Sequence, residues 1–282
     1  MDLREFSQHI QTQLKQQISF DYSDIIVADS ANITANICKQ KLESLEKSHS
    51  RSLSIRIFKG QNQAQTAISN LSTDTISQAI TELANSIKMA NDDPYLCFND
   101  FSSEHKEELE LFFPMQNSQQ LVDYAMQAEK SALQHVDDIN VAYASSSVSE
   151  IIHMNNFGGV YQRQASQNAA YLVAVARDDN SIQNSYEQTV FRNPAKLMTA
   201  KQLGERAAHK ALAKLAPQKS RNGHMPVILD QQIASSILSS FIDAISGEAI
   251  AKKASFLKDK LGDQIASSNI NIIDDPLIQQ GL

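Results

Sequence analysis

The chain contains 282 residues, of which 42% are hydrophobic and 20% charged, and its formal net charge at pH 7 is -7. This composition predicts a globular protein of about two domains, at roughly 150 residues per domain, and no apolar run approaches the roughly 18 residues of a membrane span. The acidic balance argues against direct binding to nucleic acid, although Lys252 and Lys253 form a local basic pair. The opening residues resemble neither a secretory signal nor a transit peptide, so we expect a cytoplasmic protein.

The first third of the chain predicts a helix, several strands and a second helix. Residues 2–18 place apolar side chains on one helical face, namely Leu3, Phe6, Ile10, Leu14 and Ile18. Short β-prone stretches follow at 25–28, 33–38, 52–58 and about 63–69. A helix at about 73–90 then closes this unit, with Ile76, Ala79, Ile80, Leu83 and Ile87 facing inward.

The middle of the chain repeats this pattern after an acidic connection. Asn117 is a predicted helix N-cap, and Gln120 completes a capping box before an apolar stripe that begins at Leu121. Strands are predicted near 139–145, 150–155, 159–165, 169–177 and 183–191. A helix at 199–215 ends before Pro217, and residues 219–226 are predicted to be a linker.

The last segment predicts a strand at 226–229 and a helix over SSFIDAISGEAIAKK, residues 239–253. At under 60 residues it is small for an autonomous core. We therefore expect an α+β protein, with two successive two-layer units of mainly antiparallel sheet and flanking helices, plus an incomplete third domain. The predicted boundaries are 1–95 for the N-terminal domain, 96–116 for the connection, 117–218 for the central domain and 226–282 for the third.

Few residues carry a recognisable catalytic or binding motif. The two cysteines, Cys38 and Cys97, form no CxxC motif and are interpreted as structural thiols. The eight glycines include no GxGxxG or GxxxxGK[ST] arrangement, so the usual phosphate-binding loops are missing. None of the seven histidines forms the one-turn pair of a zinc peptidase helix. They are His9, His49, His105, His135, His153, His209 and His224.

Three weaker patterns have a structural and a catalytic interpretation. The serines Ser145 to Ser147 with His153 suggest a nucleophile and a base, but no orienting acid or oxyanion hole accompanies them, so we favour strand-end serines. His105 lies among acids and is interpreted as part of a solvated helix start. The acid pairs occur at segment edges, where aspartate favours turns and caps over glycosidase chemistry. These pairs are Asp137/Asp138, Asp178/Asp179 and Asp274/Asp275.

Three stretches together are similar to the TldD/PmbA family, and specifically to its PmbA (TldE) branch. The first is SLSIRIFKGQNQAQTAISNLSTDTISQAI (52–80), and the second is ELELFFPMQNSQQLVDYAMQAEKSALQHVDDI (108–139). The third and most specific is PVILDQQIASSILSSFIDAISGEAIAKKASFLKDKLGDQI (226–265). Their order and spacing extend the resemblance over essentially the whole chain.

The resemblance implies a metallopeptidase family in which the TldD branch carries an HExxxH zinc motif on the helix that corresponds to 239–253. In this chain the motif positions are occupied by Ser239, Ser240 and Ala244. Hydroxyl and methyl groups cannot replace two imidazoles and a carboxylate. The resemblance therefore implies no catalytic residue, metal or cofactor in this chain, and zinc only in a TldD-like partner.

The family's PmbA branch resembles the noncatalytic partner of TldD in a peptidase that acts on unfolded peptides, and also carries the label modulator of DNA gyrase. Family members continue past residue 282, so we expect an incomplete third domain whose apolar side chains seek cover. These side chains are Ile233, Ile237, Phe241 and Ile245. The expected partner is a TldD-like subunit or a second copy of this chain.

Two other functions remain open at this stage. The chain could be a stand-alone module that binds extended peptides by strand addition at a sheet edge. A self-sufficient hydrolase that uses Ser145 to Ser147, or Cys97, is the third candidate, and it lacks the constellation that such chemistry requires.

Overall fold

A computed structural model describes residues 2–98, 109–219 and 222–282. The predicted α+β class is confirmed: a six-stranded antiparallel sheet has helices packed against it. The strand order is β3-β2-β1-β4-β5-β6. The strands are β1 Tyr22–Cys38, β2 Lys41–Lys59, β3 Asn62–Ile68, β4 Asp138–Asn155, β5 Val160–Arg177 and β6 Ile182–Phe191.

The first four helices flank this sheet. They are α1 Leu3–Gln17, α2 Thr73–Met89, α3 Ser118–Ala132 and α4 Ala200–Leu212. The predicted capping box at the start of α3 is confirmed, because the Asn117 side chain accepts from the Gln120 backbone and the Gln120 side chain accepts from the Asn117 backbone. Thr199 caps α4 in the same way with Gln202, so the helix predicted at 199–215 begins one residue later and ends at Leu212.

The predicted strand interruptions are wrong in three places. The stretches predicted at 25–28 and 33–38 are parts of the single strand β1. Likewise 139–145 and 150–155 both belong to β4, and 159–165 and 169–177 both belong to β5. The serines, asparagines and acids between the stretches of β1 and β4 are weak strand formers, but pairing with a strand on each side keeps them extended.

The two predicted units share one sheet, because β1 pairs along most of its length with β4 as well as with β2. Both helix pairs pack on the same side of this sheet. One cluster joins α1 and α2 to residues such as Ile25 and Ile55, and the other joins α3 and α4 to residues such as Ala35 and Leu172. We call this side the helical face and the opposite side the outer face.

The connection predicted at 96–116 lies partly outside the described residues, as does His105. Its last residues bind the sheet, because the Ser166 amide donates to the Leu111 carbonyl and the Gln116 amide donates to the Ser146 hydroxyl. These contacts satisfy polar groups that are otherwise buried on the helical face. Residues 109–116 therefore fix where α3 begins.

Residues 218–276 form a second compact unit, while residues 277–282 belong with the first. The second unit contains α5 Gln231–Ile245 and the short α6 Gly247–Ala251. The strand predicted at 226–229 is wrong, because these residues have no regular structure, and hydrophobic residues alone form no strand without a pairing partner. The helix predicted over 239–253 is interrupted at Ser246, whose side chain caps α6.

Candidate functional site

The zinc-motif positions suggested by the sequence lie on α5, within one turn and a half of helix. The Ser239 hydroxyl donates to the Ser235 carbonyl at 3.1 Å, and the Ser240 hydroxyl donates to the Ser236 carbonyl at 3.2 Å. Ala244 offers only a methyl group. Both hydroxyls are thus bound to the helix backbone, and the residues present do not fit a zinc ion, which needs imidazole, thiolate or carboxylate ligands.

The apolar side of α5 is largely exposed in this chain. Ile233, Ile237 and Ile245 are each at least half exposed, and Phe241 is half-buried. An amphipathic helix normally buries such a stripe. The sequence-based prediction that this stripe is exposed therefore holds for Ile233, Ile237 and Ile245, whereas Phe241 is partly covered.

The candidate serine nucleophiles and their candidate base are not brought together. Ser145, Ser147 and His153 all lie on β4, and His153 follows Ser147 by six positions, which correspond to about 20 Å of strand. Ser146 faces the other side of the sheet, where it is fully buried and accepts from the Gln116 amide. This geometry does not support a catalytic pair.

His153 instead belongs to a cluster around the buried carboxylate of Asp24 on the outer face, which the sequence did not predict. Its Nε2 lies 2.7 Å from one carboxylate oxygen of Asp24, and the Tyr22 hydroxyl donates to the same oxygen at 2.6 Å. The Arg56 guanidinium donates to the other oxygen, at 3.1 Å from Nε. Asp24 is 3% exposed, so three donors from three adjacent strands converge on one buried carboxylate.

Charge and burial have opposite effects on this carboxylate. Burial raises the pKa of Asp24, but hydrogen bonds from His153, Tyr22 and Arg56 outweigh it and bring the pKa to about 2. Burial and the adjacent Asp24 carboxylate raise the pKa of the Tyr22 hydroxyl above its usual value. Asp24 is therefore a constant negative charge at neutral pH, and its partners use it to join β2, β1 and β4.

Aromatic side chains cover the same end of the outer face. The Tyr22 ring stacks on Phe98 with centroids 4.3 Å apart, and Phe58 meets Tyr22 edge-on at 5.4 Å. Arg56 also lies over the Phe58 ring, 5.0 Å from its centroid. These contacts shield the Asp24 cluster, which we interpret as a structural element rather than a reactive site.

The other sequence candidates are dispersed. His135 and His209 lie side by side with ring centroids 4.8 Å apart, and His49 lies 2.6 Å from Asp29, a carboxylate that Arg51 also binds. Asp138 begins β4. Among the residues that the structure describes, no three histidine, cysteine, aspartate or glutamate side chains form a group that could hold a metal ion.

The acid pairs and the cysteines do not come together in a common site. Asp178 accepts from the backbone of Asn180 and Ser181 in the turn between β5 and β6, and these hydrogen bonds lower the pKa of its carboxyl. Cys38, at the end of β1, and the exposed Cys97 are both free thiols. In the described parts of the chain, no helix is long and apolar enough to span a membrane.

Family models match most of the chain. A model of the PmbA/TldA metallopeptidase central domain matches residues 113–215, and a model of the C-terminal domain of the same proteins matches residues 222–282. These matches cover more than half of the sequence and define a class of metallopeptidase-related proteins. The chain belongs to the PmbA/TldD family, in its PmbA (TldE) branch.

Curated relatives agree with this assignment. The chain is 26% identical over 279 residues to a metalloprotease PmbA homolog of Haemophilus influenzae, and 22% identical over 268 residues to metalloprotease PmbA of Escherichia coli O157:H7. These alignments cover 94% and 93% of this chain. The chain spans only 62% and 60% of the lengths of these two relatives.

Solved structures share the fold. A candidate modulator of DNA gyrase from Bacteroides thetaiotaomicron superposes with a TM-score of 0.86 at 18% identity, over 98% of this chain and 64% of that chain. TldE from Thermococcus kodakarensis superposes with a TM-score of 0.73 at 18% identity, over 94% of this chain and 60% of that chain. At this identity the likeness shows the fold alone.

Proposed function

We infer that this chain acts as the noncatalytic subunit of a TldD/TldE-type metallopeptidase that cleaves unfolded peptides. The observation that supports this proposal is the chemistry of α5. By the resemblance, α5 corresponds to the family's zinc helix, with Ser239, Ser240 and Ala244 at the positions of its motif. Their hydroxyl and methyl groups cannot supply the ligands and the base that a zinc peptidase requires, and both hydroxyls are bound to the helix backbone. The ion, and with it the activated water, would come from a TldD-like partner in the cytoplasm.

The exposed side of α5 supports association. Ile233, Ile237 and Ile245 present an apolar stripe of the kind that a partner subunit buries. A TldD-like subunit or a second copy of this chain could cover it, and the first is required for cleavage. The name metalloprotease, which curated relatives carry, supports a role in proteolysis, and we extend the proposal to the maturation of peptides.

The test is to assay the purified chain with zinc and fluorescein-labelled casein, alone and with a TldD-like subunit. We expect no cleavage by the chain alone, co-elution with the partner, and cleavage by the mixture that a histidine-to-alanine change in the partner's HExxxH motif abolishes. The partner alone is the control. Cleavage by this chain alone that a chelator abolishes would contradict the proposal.

A second candidate function, stand-alone peptide binding, is favoured by one open sheet edge. β3 pairs only with Leu53–Lys59 of β2. Among the described strands, residues 41–52 of β2 therefore have a neighbour only on the side of β1. Such an edge presents backbone donors and acceptors to an added strand. Fluorescence anisotropy with labelled unfolded peptide, without any partner, tests this function.

A further inference from the structure

Residues 277–282 belong to the first unit and are bonded to the connection that precedes α3. The Gln280 backbone amide donates to the Leu109 carbonyl at 2.8 Å. The Gln280 side chain donates to the Glu110 carboxylate at 2.6 Å, which joins residues 170 positions apart in the sequence. We call residues 277–282 the strap.

The Arg192 guanidinium links the strap to the sheet. Its Nε donates to the Gly281 carbonyl of the strap, and its Nη1 donates to the Ser166 carbonyl of β5 at 3.1 Å. The Arg192 backbone is fixed as well, because its carbonyl accepts from the Asn168 side chain at 2.7 Å. Ser166 and Asn168 are buried, so the strap is anchored to a rigid part of the sheet.

The same part of β5 holds the connection. The Ser166 amide donates to the Leu111 carbonyl at 2.9 Å, and the Phe113 amide donates to the Ser166 hydroxyl at 3.0 Å. Residues 109 and 110 bond to the strap, whereas Leu111 and Phe113 bond to β5. The connection is therefore held between the strap and the sheet.

The closed strap is strained at the two residues that bind each other. Glu110 has a φ of 48° and Gln280 a φ of 56°. A residue with a side chain is strained at such angles, and it keeps them only where surrounding contacts enforce them. The Gln280 side-chain oxygen is also buried, and it has no hydrogen-bond partner in the parts of the chain that the structure describes, which is a further cost.

Two opposing effects thus act on the strap. Three hydrogen bonds, two from Gln280 and one from Arg192, hold it closed. Opening it relieves the strained backbone at Glu110 and at Gln280. Strain of this kind is typical of clamps and switch regions, whereas a segment that simply rests on a surface has no need of it.

We propose that the strap is a strained closure that holds residues 109–113 against β5 and opens together with them. Because residues 109–116 fix where α3 begins, opening of the strap also loosens the start of that helix. This inference goes beyond the proposed function and does not depend on it.

The test is hydrogen exchange of the whole chain, measured by mass spectrometry at single-residue resolution. Gln280→Pro should open the strap, because proline lacks the amide that bonds Leu109 and cannot adopt a φ of 56°. The amides of Ser166 and Phe113 bond to no strap residue, yet they should exchange at least about tenfold faster in this variant. Amides in the middle of α2 should keep their rates, which shows that the fold is intact.

Arg192→Ala tests the link from the other side. It should accelerate exchange at Gln280 as well as at Ser166 and Phe113, since the guanidinium bonds both the strap and β5. Arg4→Ala, at an exposed position of α1, is the matched control and should change none of these rates.

A pair of variants that differ by one methyl group tests the strain. Gln280→Ala and Gln280→Gly both lose the bond to Glu110, but glycine adopts positive φ without a steric cost. The glycine variant should therefore keep the strap closed more firmly, with exchange at Ser166 about threefold slower than in the alanine variant.

Three results would overturn the inference. Unchanged exchange at Ser166 and Phe113 in Gln280→Pro would show that the strap rests passively on the fold. Equal exchange in the alanine and glycine variants would show that the closure stores no strain. Faster exchange in α2 as well would reduce the effect to a loss of global stability.

Discussion

Glu129 of α3 provides the most direct test of how the helices and the sheet depend on each other. β1 and β2 are joined by a two-residue turn, in which Lys39 and Gln40 have φ values of 52° and 56°. Such a turn favours glycine or asparagine, since other residues are strained at positive φ. Neither residue is present in this turn, so another interaction must stabilise it.

That interaction comes from the Glu129 carboxylate, which is 1% exposed. It accepts the backbone N–H of Lys39 at 2.9 Å and that of Gln40 at 2.6 Å, one on each oxygen. The Gln40 side chain adds a third hydrogen bond at 2.7 Å. Two backbone donors of the turn are thus satisfied by one residue that lies about 90 positions away in the sequence.

Glu129→Ala should lower the free energy of unfolding by about 3 kcal/mol. Hydrogen bonds to a charged group contribute about 1.5–3 kcal/mol each, but the released amides can bind water at this exposed turn, so the loss falls below the sum. Glu129→Gln should cost less, about 1–2 kcal/mol, since one acceptor oxygen remains. The measurement is urea denaturation followed by circular dichroism.

Two control variants make the test decisive. Glu82→Ala removes an exposed glutamate from α2 and should change stability by less than about 0.5 kcal/mol. Lys39→Gly should stabilise the chain by about 1 kcal/mol by relieving strain at positive φ. A cost of Glu129→Ala no larger than that of Glu82→Ala would show that the turn is stable without the carboxylate, and would refute the reasoning.

Three further predictions concern packing, pH and thiol reactivity. Gly204→Ala should destabilise the chain by about 3 kcal/mol, because a Cβ there would lie 2.2 Å from the Ala128 carbonyl oxygen of α3. Gly247→Ala is the control, since a Cβ there meets nothing within 4 Å, and equal changes in melting temperature for the two variants would contradict the prediction. The pKa of Asp24 in the folded protein, about 2, lies below its usual value of 3.8. Its contribution of about 2 kcal/mol to stability should therefore be fully present above pH 4 and be lost as the pH falls through about 2. Acid titration of stability should lose this component in Asp24→Asn, and an unchanged profile would argue against the cluster. Cys97 is exposed and Cys38 is half-buried, so a thiol reagent should label Cys97 first, which mass spectrometry of the labelled peptides would check.

Helical periodicity was a good guide to local structure in this chain. The apolar spacing of α1 and α2, and the Asn117 to Gln120 capping box of α3, predicted elements that the structure contains. These features depend on side chains three or four residues apart, which a linear pattern records directly. The side chains of Ser239, Ser240 and Ala244 can likewise be read directly from the sequence. Their hydroxyl and methyl groups cannot bind zinc, whatever the position of the helix in the fold.

The pairing of the strands could not be predicted from the sequence in this way. Residues 29–32 of β1 have no strand pattern of their own, and they are extended because β2 and β4 pair on both sides. The convergence of Tyr22, Arg56 and His153 on Asp24 depends on the register of three strands separated by up to 129 positions in sequence. The alternating serines of β2 and β4 were a visible signal of a polar sheet face, but their mutual alignment was not.

The amino-acid sequence by itself therefore determined the four helices that flank the sheet, the capping box of α3 and the α+β class. The tertiary structure decided that two units share one sheet, that side chains from three strands converge on Asp24, and that a buried glutamate supports a turn without glycine. The reason is physical: helix signals are local, whereas strand pairing and buried charge depend on contacts between residues far apart in the chain.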